Sequence, residues 1–177
     1  MLGAWILLHA VRGLLQLRIL AGLPMNIFVL DSDPTLAAQY QHNKHVVKMI
    51  LESAQLLCGP LNDAPYKRTH FNHPCAIWTR QTRANYLWLI EHGLALADEY
   101  TYRYGKIHAS KWVINHCASR VNEIPGGSMT PHAQAMPDEY RRFDTVEAYR
   151  AYYIGTKLVG AVWTNRERPK WARTSSE

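Results

Sequence analysis

The chain has 177 residues, 47% of them hydrophobic and 19% charged, which is room for one ordinary domain and excludes a disordered, collagen-like or low-complexity polymer. Cys58, Cys75 and Cys117 are too few and too scattered for a disulfide framework or a thiolate zinc site, and their sparseness suits a reducing, cytoplasmic setting. Twenty Lys and Arg against 14 Asp and Glu give a formal charge of +6, a balance that favours an acidic partner, nucleic acid first.

Residues 1–24 are mostly Leu, Ile, Ala and Val, but Arg12 and Arg18 interrupt them, so no apolar run is long enough to span a bilayer. A secretory signal would place its positive charge ahead of the apolar run, and nothing basic precedes Trp5. The stretch is therefore expected to be either an upstream extension before a start at Met25 or an amphipathic appendage, and only the appendage would bring membrane association. Residues 25–177 are expected to form the domain proper.

The domain opens with Asn26 to Leu30, a short apolar run suited to a strand or an extended lead-in. Asp31 to Pro34 supply N-cap and first-turn chemistry. Leu36, Tyr40, Val47, Ile50, Ala54 and Leu57 recur at helical spacing, which predicts one helix from about Thr35 to Cys58, stopped by Gly59-Pro60. A polar loop follows. Pro74 opens a second predicted helix that continues to about Tyr104, and a third is predicted from Ser110 to Val121. Residues 124–137, rich in Pro and Gly, read as an irregular loop. Asp144 with Glu147 forms a capping box for a last helix to about Val159, ahead of a basic, aromatic tail with Trp163, Arg166, Arg168, Lys170, Trp171 and Arg173.

Within the first helix, His45, Lys48, Glu52 and Gln55 make one narrow polar stripe across apolar surroundings. Lys48 and Glu52, at i and i+4, fit a plain ion pair worth about 0.3 to 0.5 kcal/mol. Spacing alone favours that plain pair; the same residues also fit a carboxylate whose charged form is disfavoured by apolar neighbours, the condition of a general acid or base near neutral pH, and Glu52 is the first catalytic candidate. His73 stands just before Pro74 at a helix entrance, where it can cap the helix or approach a phosphate. Trp78, Asn85, Trp88 and His92 run along one side of the second helix, and Arg80 and Arg83 on another can grip phosphates or simply be solvated. Phosphate-binding glycine loops and the G-x-S-x-G elbow are absent, and the nine histidines show no zinc-ligand spacing. Neither a metal nor a cofactor is expected.

N-K-H-V-V-K-M-I-L-E-S-A-Q, from Asn43 to Gln55, followed by H-P-C-A-I-W, from His73 to Trp78, resembles the wider pyrimidine-dimer DNA glycosylase family in its phage-type form. The matching positions are Asn43, Lys44, Lys48, Glu52, Gln55, His73, Pro74 and Trp78. The resemblance implies a compact helical fold that bends DNA, exposes a damaged base, and cuts the glycosidic bond through an amine that forms a Schiff base, assisted by a carboxylate. An α-amine, with a reference pKa of about 7.7 to 8.0, suits that attack better than an ordinary lysine. Met25 would supply it if the chain starts there; otherwise Lys48 or Lys44 would have to substitute.

The expectation is thus an all-α, compact single-domain helical bundle with a short extended N-terminal lead-in. Its function would be N-glycosylase with AP lyase activity on damaged or modified pyrimidines in DNA. Glu52, Lys48 and Met25 would be catalytic, with Asn43, Lys44, His45, Gln55, His73, Trp78, Arg80, Arg83 and Asn85 around the substrate. DNA is the expected partner, with a nucleotide or modified base in an alternative reading as a phage base-modifying enzyme, and no obligate protein partner is expected. A non-catalytic basic helical module that binds nucleic acid is the remaining alternative.

Overall fold

The computed structural model describes residues 25–173, so the readings made for residues 1–24 lie outside the described residues. Within this range the fold is all-α, with six helices and three short 3₁₀ turns and no strand. The helices are α1 (Pro34–Tyr40), α2 (Asn43–Cys58), α3 (Pro74–Gln81), α4 (Arg83–Tyr104), α5 (Lys111–Ser119) and α6 (Thr145–Thr156).

Two of the predicted helices are each broken in two. The first breaks at Gln41 and His42, both with extended backbone, between α1 and α2. Hydrophobic periodicity runs straight across this point, but Gln41 is fully buried. Its Nε2 donates to the Ile27 carbonyl at 3.2 Å and approaches His92 Nε2 at 3.3 Å. The lead-in's unpaired backbone oxygens need that amide, and the helix yields to supply it. The second break falls at Thr82, also extended, whose hydroxyl accepts from Asn85 N at 3.2 Å and caps α4. The other ends follow the expected chemistry: Asp33 caps α1, Asp144 caps α6 through Glu147 N at 2.8 Å, and Gly105 ends α4 in the left-handed region at φ +64°.

Helix α4 is the central element, packing against α1, α2, α3 and α5. At Gly93 the crossing is close: a β-carbon there would stand 3.0 Å from Ile114 Cδ1 and 3.2 Å from Ser53 Cβ, so a larger residue would need these neighbours on α2 and α5 to shift. Leu89 and Leu96 of α4, Met49, Ile50 and Leu57 of α2, and Tyr149 and Tyr153 of α6 fill the core. The lead-in Met25–Leu30 is buried throughout and forms no strand, and it is not extended along its whole length, because Phe28 takes a left-handed conformation at φ +56°.

The C-terminal tail is a strap rather than a free basic arm. Trp163 is buried and donates from Nε1 to the Tyr40 carbonyl at 2.9 Å, and Trp171 packs edge-on against Tyr40 and Tyr153. Arg166 pairs with Glu99 at 2.9 Å, and Glu99 also takes Arg103 at 2.7 Å. Arg103 further donates to Asn43 Oδ1 and to the Gln39 carbonyl, both at 3.0 Å. This buried ionic cluster ties α1, α2, α4 and the strap together and fixes the first turn of α2. No helix among the described residues is long and apolar enough to cross a membrane.

Candidate active site

Glu52 lies in the middle of α2 and is 6% exposed. Its two carboxylate oxygens have different partners: Oε1 receives the Lys48 ammonium at 2.8 Å, and Oε2 accepts from the backbone nitrogen of Asn26 at 3.0 Å. The helix supplies the first partner through i, i+4 geometry, while the second crosses from the buried lead-in. A carboxylate taken out of water needs both bonds.

The lead-in is shaped around this contact. Asn26 Oδ1 accepts from Ile27 N at 2.7 Å and from Phe28 N at 3.1 Å, and its Nδ2 donates to the Ala135 carbonyl at 2.8 Å. The tight turn this makes drives Phe28 to φ +56°, a left-handed conformation that a bulky side chain adopts only when its surroundings impose it. Phe28 is thereby laid against His45, ring centroids 4.2 Å apart and nearly parallel, and beside Tyr152 at 6.2 Å.

Beside Asn26 and Lys48 opens a cleft of about 370 Å³, walled by Phe28, His42, His45 and Tyr152, with Val159 and Gly160 among its remaining lining residues. Lys44, Lys48 and Lys157 line it and no carboxylate does, so its field is cationic. Both imidazoles are neutral. Burial, then Lys44, Arg103 and Lys157, pulls His42 down to about 4, and burial, then His42, Lys157 and Lys48, pulls His45 to about 2. The Nδ1 atoms of both rings are buried without a hydrogen-bond partner.

The structure brings some of the expected residues together here and sets others elsewhere. Lys48, Lys44 and His45 line the cleft with Asn26 and Phe28 of the lead-in, and Glu52 lies behind that lining, bonded to Lys48 and to Asn26 N. The nitrogen on the carboxylate is that of Asn26, one residue beyond the expected Met25, whose side chain is buried. Asn43 spends its side chain on Thr164, through Nδ2 to Oγ1 at 2.8 Å and Oδ1 from Thr164 N at 3.0 Å, as well as on Arg103. Gln55 is half-buried one turn past Glu52 and outside the cleft lining. His73 caps α3, its Nδ1 accepting from Cys75 N at 3.2 Å.

Trp78 and Asn85 both hold the irregular loop. Trp78 Nε1 donates to the Thr130 carbonyl at 3.3 Å, and Asn85 grips Thr130 at both its backbone nitrogen, 2.9 Å, and its hydroxyl, 2.7 Å. Arg80 donates to the Phe71 carbonyl and stacks on the Phe71 ring at 3.8 Å, and Arg83 reaches the carbonyls of Asn122 and Ile124. Neither arginine lines the cleft. Among the described residues no three His, Cys, Asp or Glu side chains group to hold a metal ion.

Sequence reasoning missed Asn26, Phe28, Tyr152 and Lys157. Only Asn26 carried a signal, as an Asx-turn residue directly after Met25; the others reach the cleft through tertiary packing.

Comparison with curated proteins and with solved structures returns no match. Residues 25–112, which hold the lead-in, Glu52 and the first four helices, match the family model for pyrimidine dimer DNA glycosylase.

Proposed function

We propose that the chain removes a damaged pyrimidine from DNA by attack of a nitrogen held at the Glu52 carboxylate, and then cuts the strand through a Schiff base. The observation that carries this reading is the 3.0 Å contact between Asn26 N and Glu52 Oε2 beside a cationic, aromatic cleft. With Met25 ahead of it, Asn26 N is a peptide nitrogen, and its lone pair is delocalised into the carbonyl. In a chain that begins at Asn26 the same atom is an α-amine, with a reference pKa of about 7.7 to 8.0, already placed on a carboxylate. Met25 then acts as the residue whose loss uncovers the nucleophile. Lys48, as an ammonium paired to Glu52, has no free lone pair and orients the carboxylate.

The chemistry balances as follows. The amine attacks C1′, the bond to the base breaks, and the base leaves with the bonding pair and takes up a proton. Opening of the sugar ring gives the C1′=N linkage. Glu52 then removes a C2′ proton and the 3′ phosphate departs. Lys44, Lys48 and Lys157 answer the flanking phosphates, and the faces of Phe28, His45 and Tyr152 receive the extruded nucleotide.

Borohydride trapping on an abasic duplex tests this reading. The chain starting at Asn26 is expected to form a stable adduct that peptide mapping places on its first residue, and the 177-residue chain to form far less. An adduct mapped to Lys48 would move the nucleophile to that side chain, and no adduct with either chain would leave a binding module.

A further inference from the structure

One feature of the cleft has no part in the chemistry. Its rim carries Val159, 97% exposed, at the tip of the turn that follows α6. The turn is tight: Ala161 N donates to the Leu158 carbonyl at 3.0 Å, and Gly160 adopts φ +66°, the left-handed third position that a type II turn requires. Both ends are fastened. Leu158 packs against the core, and beyond the turn Val162 O accepts from Asn43 N at 2.8 Å while Thr164 is held by the Asn43 side chain. Lys157 lies at the base of the turn, its Nζ 4.7 Å from the centre of the Tyr152 ring.

A rigid turn thus presents one β-branched apolar side chain to solvent, next to a cleft ringed by three lysines. The neighbouring surface of α2 continues the pattern, with Val47 and Leu51 exposed alongside Lys44 and Lys48. Positive charge draws in a phosphate backbone, and an apolar tip on that approach has the character of a wedge that enters between base steps. A nucleotide that leaves a duplex for the cleft also leaves a gap in the stack that water fills poorly.

We propose that Val159 is the wedge of this protein: it enters the base stack of duplex DNA beside the extruded nucleotide and fills the gap left behind. Val159 is a positioning residue, since it acts on the duplex and never on the reacting bond. The inference rests on the reading of the cleft as a site for an extruded nucleotide, but its test uses no bond cleavage.

The experiment uses the 177-residue chain and duplexes carrying a tetrahydrofuran abasic analogue with 2-aminopurine on its 3′ side, together with the matching single strand. Wild-type protein is expected to raise the 2-aminopurine fluorescence of the duplex several-fold at saturation. Val159→Ser is expected to remove more than half of that rise and to weaken duplex binding at least fivefold more than single-strand binding. Val159→Leu is expected to restore both. Because Val159 is solvent-exposed, folding of all three proteins is checked by circular dichroism. A full fluorescence rise with Val159→Ser, or equal weakening on duplex and single strand, overturns the wedge. A wild-type rise without any borohydride adduct from the chain starting at Asn26 leaves the wedge standing and removes the proposed chemistry alone.

Discussion

Replacing Glu52 by Gln separates the chemistry of the cleft from its architecture. The amide is nearly isosteric, and its oxygen can still accept from Asn26 N, so the lead-in keeps its anchor. What is lost is the ion pair to Lys48, whose side chain is 41% exposed and can turn to water, at a cost of about 0.5 to 1 kcal/mol. A buried amide N–H left facing that ammonium adds about 1 kcal/mol. Against a domain stability of about 5 to 15 kcal/mol the protein stays folded. Loss of the acid–base group should lower single-turnover cleavage of ultraviolet-irradiated DNA by about 10² to 10⁴, or about 3 to 5 kcal/mol of barrier. Nicking of irradiated plasmid and urea unfolding, run on the same preparations, give the two numbers. Cleavage within threefold of wild type would remove Glu52 from the mechanism, and a loss of stability as large as the loss of activity would make it structural.

Other outcomes follow from the same geometry. Glu99→Ala leaves Arg103, wholly buried at its side chain, without its carboxylate and should destabilise the fold by about 3 to 5 kcal/mol in urea, whereas Lys111→Ala, which breaks an exposed pair with Asp98, should change it by less than about 1 kcal/mol. His42, His92 and His132 are held down to about 4 by burial and His45 to about 2, so the unfolded chain binds protons below pH 6.5 that the folded one refuses. Stability is therefore full above that pH and should fall between about pH 6.5 and 4 by roughly 1 kcal/mol per pH unit for each ring, as chemical denaturation at stepped pH would show; a flat profile refutes the neutral assignments. Lys44→Ala and Lys157→Ala should each weaken binding to any DNA sequence and reduce the slope of log K against log salt by about 1, and an unchanged slope would take those lysines off the phosphates.

How much of this was legible in the chain depends on the range of the interaction concerned. Helix composition, the caps at Asp33 and Asp144, the stop at Gly105 and the i, i+4 pairing of Lys48 with Glu52 depend on residues within one or two turns of each other, and the sequence alone determines them. The all-α class is local in the same sense. Only the tertiary structure decides where the helices break, because Gln41 leaves its helix to satisfy carbonyls of the lead-in, a partner whose position no periodicity encodes. The same holds for the site: Asn26 N reaches Glu52 across 26 residues, and Tyr152 and Lys157 come from the far end of the chain to wall the cleft beside it. A buried carboxylate is stable only when donors converge on it, and that convergence is a property of the packed chain rather than of any segment.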